Sequence, residues 1–576
     1  MRTRQSPNPP QWVVHDPANG DQARGLCAEL GLHPLVGELL LRRGLDSPES
    51  VRRFLEPSLE HPHDPFLMMG MDAAATRIVQ ALADGEKILI SGDYDVDGIT
   101  STSLLAQFLG AAGCSNLETF IPSRFAHGYG LTAKAVDTLL ERQPKLVITV
   151  DNGITALDEV RRLHEGGVET IITDHHLPRA EGVPAGIVVN PRQAGCAYPF
   201  KGISGCGVAF KLVTALRKLL REEGWWNAQR PEPNLKHYLD LVAIGTVADV
   251  VPLLDENRVF VRYGLEVLNR GANRPGVAAL LAVCRVKREI TARTIAYQIA
   301  PRINAAGRMS EGGLAVELLL AEAPSRAEEL ALRLDEENRN RRSKEELMLK
   351  EAVELLSGEK DTARQAIVVA SPEFHEGIIG IIASRLVERY HCPVVVCAES
   401  GESYKGSART VPGINVSEAI TECAHLLQEY GGHAGAAGCK LSRERLQEFR
   451  EAFAAACSRQ AGSGGQAAEV LDGALAPREI SPELVAQIAS MAPFGHDNEE
   501  PTFLLDGVHL EAPPEVLAGR HLKWKLGPGM EMVAWGAAGN IESDPALRFR
   551  VKLGFNEYRG NRKIQLTVED VRRGAP

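Results

Sequence analysis

ILISGDYDVDG, residues 88–98, runs from a short apolar segment into three carboxylates spaced two apart, Asp93, Asp95 and Asp97, and closes on Gly98. The apolar part reads as a buried strand. Three anions this close repel one another unless a cation sits among them. A polar loop capping a helix that begins near Ile99 is the plainer reading of the same residues. An EF-hand calcium loop is excluded. It needs a preceding helix and a bidentate Glu at its twelfth position, which counted from Asp93 is Leu104.

The next two strand-like runs end in the same way. Leu146 to Val150 (LVITV) leads into Asp151 and Asn152, and Thr170 to Thr173 (TIIT) leads into Asp174, His175 and His176. In an open parallel sheet with helical crossovers, the carboxyl ends of successive strands line one edge, where ligands bind. Asp249, in AIGTVADVVPL, follows an apolar helical stretch and is a fourth candidate, although a single Asp at a helix end is usually a cap. Several carboxylates with one or two imidazoles suit a pair of divalent ions, magnesium or manganese. Two such ions about 3.5 to 4 Å apart are a device for in-line hydrolysis of a phosphate ester.

The strings GDYDVDG, VDNG, DHH, ISGCGVAFKL, GTVADVVP, PRINAAGRM, HEGIIGIIASRLVERY, GSARTVPG and GGHAGAAG follow in that order. Together they resemble the RecJ single-stranded-DNA exonucleases of the DHH phosphoesterase superfamily, from about residue 30 to the end. The resemblance implies an α/β fold: a parallel-sheet DHH domain joined by a long helix to a smaller α/β DHHA1-type domain, with a C-terminal OB-fold β-barrel. It also implies a 5′-to-3′ exonuclease specific for single-stranded DNA, releasing 5′-mononucleotides by hydrolysis with two divalent ions, Mn2+ or Mg2+. DNA recombination and repair, beside a single-strand-binding protein and a helicase, are the implied setting.

By the superfamily pattern, one ion is held by Asp93, Asp95 and Asp151, and the other by Asp97, Asp151, His175 and Asp249. His176 is assigned to the phosphate oxygens, Asp174 to orienting a histidine, and Arg308 to the DNA or the scissile phosphate. Arg124, Ser407 and Arg409 are assigned to the terminal 5′ phosphate, and His433 and Arg302 to the strand's track. The residues alone support part of this, since a hydroxyl and a guanidinium in GSAR suit a phosphate. One departure stands at Ser91, where many DHH phosphoesterases carry a metal-binding His. Either that site binds its ion more weakly or Asp93 does more of the ligation. Two alternatives are a DHH phosphoesterase acting on short oligonucleotides or cyclic dinucleotides, and an inactive strand-binding scaffold.

The 576 residues predict several domains, since single cores stop growing near about 250 to 300 residues. Hydrophobic content of 44% and charged content of 24% are ordinary for a globular protein. No apolar run approaches a membrane span, and MRTRQSPNPPQWVVHD lacks a signal-peptide core, so the expected location is the cytoplasm. The ten cysteines show no two-residue spacing of a zinc or redox motif and fit a reducing compartment. A net charge of −11 argues against a nucleic-acid binder unless basic residues are gathered on one surface.

The expected domains are a helical lead-in (1–69), the catalytic domain (70–310), connecting helices (311–358), the DHHA1-type domain (359–457), a linker (458–468) and the OB domain (469–576). In KGISGCGVAF, residues 201–210, bare amides at a helix start either accept a phosphate or form a tight packing turn. Trp225 and Trp226 form either a packing knob or a partner contact. Ser325 to Ser357 reads as one helix with a Ser325–Glu328 capping box, and its middle, DEENRNRRSKEE, reads as a solvent-exposed bridge between two bodies. Between Arg520 and Arg573, Lys and Arg exceed Asp and Glu by five. Interleaved Trp524, Trp535, Phe555 and Tyr558 then fit a barrel that stacks bases, with Tyr558 beside Arg559 the best stacking candidate.

Overall fold

In the computed structural model the described residues are 11–16, 20–124, 126–128, 130–271, 273–309, 312–357, 365–461, 469–506, 508, 512–538, 547–558 and 560–573, without the side chains of 461, 558 and 573. The chain divides into two compact units. The first comprises Met1–Ile303, Gly312–Ala331 and Ala467–Pro576, and the second Asn304–Glu311 and Leu332–Gln466.

The first unit is built on a five-stranded sheet in the order Leu117–Phe120, Ile88–Gly92, Leu146–Val150, Glu169–Thr173 and Ile187–Val189. Every pairing is parallel. Ile88–Gly92 and Leu146–Val150 are buried at every residue, which is why they read as continuous apolar runs without alternation. The register pairs Gly92 with Val150 and Val150 with Thr173. The next residue of each strand, Asp93, Asp151 and Asp174, therefore leaves the sheet at one level.

The helix after the first acidic tip spans Val96–Ala111, three residues earlier than expected, and Asp95 caps it by accepting from the amides of Asp97 and Gly98. Its run Thr100–Ser103 is fully buried. Each hydroxyl there donates to a carbonyl four residues back, so four polar side chains enter the core without orphaned groups. The Trp225 and Trp226 question resolves as packing. Trp225 Nε1 donates to the Ala112 carbonyl at 2.9 Å, and Trp226 stands edge-on to Phe108 at 6.2 Å between centroids.

The C-terminal strands form a seven-stranded sheet whose two outermost strands, Gly473–Leu475 and Glu515–Leu517, do not pair with each other among the described residues. Its apolar face shares one core with helices from the opposite end of the chain. Leu26, Val36, Leu39, Leu40 and Phe54 pack with Leu484, Ile488, Phe503, Trp524 and Phe549. Trp12–Val14 also pairs in parallel with Glu469–Leu471. A buried guanidinium ties this body to the catalytic sheet's helices: Arg258 donates to the carbonyls of Phe54, Met491 and Ala492 at 2.7 to 2.9 Å. Burial and the nearby Arg262 and Arg43 push its pKa down to about 9.

The second unit holds a mixed five-stranded sheet ordered Glu429–His433, Ala436–Ser442, Ser403–Arg409, Val394–Ser400 and Ile367–Ser371. One core packs the helix Ile379–Tyr390 and Met348, Ala352 and Leu356 against Ile367, Val369, Val394 and Val396. Another packs Ala419, Ile420, Phe449 and Phe453 against Val395, Ala408 and Leu441. The long helix runs Pro324–Ser357, so Ser325 lies within its first turn rather than at its cap. Its middle, expected to be solvent-exposed on every face, is not. Asn338 and Arg341 are buried, and Arg341 donates to Asn338 Oδ1 and Glu345 Oε2, a hydrogen-bonded row that lets a polar face leave water. No helix among the described residues is long and apolar enough to cross a membrane.

Candidate active site

Eight acidic and imidazole side chains gather at the carboxyl edge of the parallel sheet. Asp93, Asp95 and Asp151 bring ligand atoms within 4.8 Å of one another, as do Asp97, His175 and Asp249, and as do Asp151, Asp174, His175 and His176. Asp93, Asp97, Asp151, Asp174 and His175 are buried. Asp249 caps the C-terminus of the helix Leu239–Ala248, as the sequence suggested.

The local fold holds these groups by specific contacts. Asp151 has φ +61°, a strained left-handed conformation for a non-glycine residue. Asp97 accepts from the Gly205 amide at 2.7 Å and from the Cys206 amide at 2.9 Å. The amides expected to cradle a phosphate therefore hold a carboxylate, one of the uses to which a helix N-terminus lends itself. The glycine itself is needed for room. A Cβ on Gly205 would stand 2.6 Å from Asp151 Oδ1, and one on Gly245 would stand 2.7 Å from Asp97 Oδ1. Sequence reading saw Gly205 only as a helix-start amide and missed Gly245, because the carboxylates they face come from distant segments, Asp151 from a strand end and Asp97 from the first turn of the helix Val96–Ala111.

Several buried atoms of the cluster have no hydrogen-bond partner: Asp151 Oδ1, Asp249 Oδ2 and both ring nitrogens of His175. His175 Nε2 stands 3.1 Å from Asp151 Oδ1 and 3.5 Å from Asp249 Oδ2. Unpartnered buried polar atoms of this kind are costly unless a ligand satisfies them. Carboxylate oxygens plus one imidazole are the donor set that suits a hard or borderline divalent cation.

Electrostatics point the same way. Burial, with the charges of Asp97 and Asp95, pushes Asp249 up to about 9, and burial with Asp95 pushes Asp97 up to about 7 despite its two amide donors. Asp93 and Asp151 are raised well above the carboxylate range by burial and neighbouring carboxylates. His175 is pushed down to about 3 by burial and the His176 charge. His176 behaves oppositely. Burial would lower it, but a 2.7 Å contact from Nδ1 to Asp174 Oδ1 outweighs that, and it is pushed up to about 9. Asp174 also accepts from the amides of Ile154, His175 and His176, so its oxygens are engaged in positioning.

Three family descriptions match consecutive parts of the chain: the DHH family N-terminal domain over residues 87–246, the DHHA1 domain over 364–459 and the RecJ OB domain over 471–570. The single-stranded-DNA-specific exonuclease RecJ of Escherichia coli is 35% identical over 571 residues, covering 96% of this chain and 97% of that protein. The chain belongs to the RecJ family. RecJ of Bacillus subtilis is 36% identical over 97% of this chain and 70% of its own length. The crystal structure of Thermus thermophilus RecJ in complex with Mn2+ superposes with a TM-score of 0.82 at 32% identity, covering 98% of this chain and 80% of that one. The expected combination of DHH, DHHA1 and OB domains is thereby established, although the described OB strands form an open sheet rather than a closed barrel.

The remaining site candidates of this RecJ family member stand apart from the acidic cluster in what they contact. Arg124 lies 5.8 Å from the centre of the Tyr94 ring, next to the first acidic tip. Arg302 donates to the Gln298 carbonyl at 2.7 Å. In the second unit, Arg308 donates to the Gly377 carbonyl at 3.2 Å. Ser407 and Arg409 sit two apart on one strand and so share a face, with Arg409 Nη1 donating to Ser407 Oγ at 3.2 Å. Gly380 leaves them room, since a Cβ there would meet both side chains at 3.1 Å. His433 is exposed on its strand, its Nδ1 accepting from the Gly435 amide at 3.3 Å. The Tyr558 side chain and Arg559 lie outside the described residues. Of the other aromatics in the C-terminal sheet, Trp524 is buried against Phe549, while Trp535 is exposed beside His521.

Proposed function

We propose that this chain is a single-stranded-DNA-specific 5′-to-3′ exonuclease that releases 5′-mononucleotides, with two divalent cations, Mn2+ or Mg2+, at the carboxyl edge of its parallel sheet. The observation that carries the reading is the convergence of in-register strand ends on buried, unpartnered carboxylate and imidazole atoms. Asp93, Asp95 and Asp151 hold one cation, and Asp97, Asp151, His175 and Asp249 hold the other, with Asp151 shared. When bound, such a pair lowers the pKa of a water to supply the nucleophile and offsets charge on the phosphate.

The chain's own residues do the rest. His176, kept as an imidazolium by Asp174, donates to a phosphate oxygen as negative charge grows there. Ser407 and Arg409 take the strand's 5′ phosphate through a hydroxyl and a guanidinium on one face. Arg124 contacts that 5′ phosphate as well, Arg308 the DNA or the scissile phosphate, and Arg302, His433, Tyr558 and Arg559 the strand elsewhere. With the full donor set present and a RecJ OB domain at the C-terminus, neither the small-substrate phosphoesterase nor the inactive scaffold is favoured. Family membership supports a cytoplasmic role in DNA recombination and repair beside a single-strand-binding protein and a helicase.

The test is degradation of single strands labelled at either end, beside the matching duplex, with manganese, magnesium or chelator. The reading expects mononucleotides from the 5′ end of the single strand alone, abolished by chelator. Binding without cleavage in every metal would overturn it in favour of the scaffold.

A further inference from the structure

Residues 285–297, RVKREITARTIAY, follow the helix Pro275–Cys284 in the first unit and carry a charge pattern that nothing in the proposed chemistry uses. Arg285, Lys287, Arg288 and Arg293 are all exposed, and none makes an ion pair among the described residues. Other exposed arginines of the chain are laced to acids a turn away, as in Arg326 with Glu329 at 2.6 Å, Arg339 with Asp335 at 3.1 Å and Arg385 with Glu388 at 3.4 Å. What sets this segment apart is four cations gathered within one short stretch whose single acid is Glu289. Arg285 holds a left-handed conformation (φ +53°) at the C-cap of the helix Pro275–Cys284, a position that glycine takes with less strain.

The segment then passes into a π-helical turn, Ile295–Ile299. Such turns are rare and recur at functional sites. Ile295 and Ile299 are buried, while Tyr297 between them is 67% exposed. The Arg293 guanidinium lies 5.3 Å from the centre of the Tyr297 ring. A rigid ring open to solvent, steadied by one cation and preceded by three more without an ion-pair partner among the described residues, combines a base-stacking platform with phosphate contacts. The turn packs against Leu239–Ala248, the helix whose C-cap is Asp249 of the acidic cluster.

We propose that Arg285, Lys287, Arg288, Arg293 and Tyr297 form a further track for the single strand, with Tyr297 stacking on a base and the cations contacting phosphates of nucleotides not yet at the acidic edge. This rests on the single-stranded-DNA reading and deepens it. An acidic peptide would also complement the cations; the packing of the turn on the helix that ends at Asp249 of the acidic cluster favours the strand.

The experiment measures equilibrium binding of fluorescent oligothymidylates to the full chain in chelator, across a range of salt, for the wild type, R285A/K287A/R288A, Tyr297→Ala and Tyr297→Phe. With strands of about 30 nucleotides, removing three cations lowers the slope of log affinity against log salt by about two. Tyr297→Ala weakens binding of the same strands about five- to a hundredfold, and Tyr297→Phe, which keeps the ring, stays within about twofold of the wild type. Strands of about four nucleotides, short for a stacking track, bind all four proteins alike. Unchanged affinity and slope for the long strands would overturn the track. So would equal losses on long and short strands, which with a lowered melting temperature would mark misfolding. Loss of an Asp/Glu-rich peptide with strand binding intact would assign the patch to a protein partner instead. If the wild type itself neither binds nor degrades single strands, the proposed function fails and the track falls with it.

Discussion

The carboxyl edge of the parallel sheet and the C-terminal sheet both concentrate charge of one sign in the sequence, and they end in opposite states. In the C-terminal sheet many of the cations are answered from within or just outside the sheet. Lys523 pairs with Glu531 at 2.9 Å, Lys552 with Glu500 at 3.1 Å, and Arg572 with Glu469 at 3.0 Å and Asp570 at 3.1 Å. Arg550 also pairs with Glu469. At the acidic edge no Lys or Arg pairs with Asp93, Asp95, Asp97, Asp151, Asp174 or Asp249 among the described residues; the one cationic partner is His176, on Asp174, while the His175 ring beside Asp151 and Asp249 is neutral. Composition gives the sign of a region's charge, while its function depends on whether that charge is already satisfied.

The comparison breaks most sharply at Asp151. Asp151→Ala removes the shared carboxylate and is expected to lower the cleavage rate at least about 10³-fold while leaving strand binding measurable in chelator. Parallel rate and binding assays check this, and a variant that cleaves normally would make the edge incidental. Next in size is Gly205→Ala, which thrusts a methyl group against the Asp151 carboxylate and is expected to weaken metal affinity about ten- to a hundredfold. Calorimetric titration with manganese reads that loss directly.

The unsatisfied acids also predict a pH dependence. Asp97 and Asp249, raised to about 7 and about 9, bind more protons in the folded than in the unfolded chain from about pH 4 upward. Their contribution favours the folded state at low pH and is lost as pH rises through that window. The metal-free protein should therefore melt at progressively lower temperature from about pH 5 to 9, and manganese should flatten the trend. A melting temperature in chelator that rises across this range would contradict the cluster's electrostatics. Chemical unfolding separates two tryptophans, Trp524 in the C-terminal sheet and Trp535 just past its strand Met530–Ala534. Trp524→Ala should cost about 3 to 5 kcal/mol in chemical unfolding, and Trp535→Ala, at the surface, within about 0.5 kcal/mol.

The strand tips were legible because burial on both faces writes itself as uninterrupted apolar runs, so the position of each following Asp could be read directly. Asp249 was legible as the end of an apolar helix. The room left for Asp151 and Asp97 was not, since Gly205 and Gly245 matter only for the carboxylates that other segments bring to them. Of the two readings of KGISGCGVAF, a phosphate cradle and a tight packing turn, the second fits, Asp97 being the anion that its amides hold. The core shared by Phe54 and Trp524 joins residues far apart in sequence, which no local periodicity encodes. The excess of cations after Arg520 overstated free charge because Glu469 and Glu500 lie before that window.

The account turns on buried carboxylates that stay protonated or unpartnered until cations arrive. Titration of the metal-free chain with manganese, in two buffers of different ionisation enthalpy near neutral pH, tests this most directly. Two ions per chain with net release of protons, falling to one or none in Asp151→Ala, is the result expected. Binding of fewer than two ions, or of two without proton release, would contradict it.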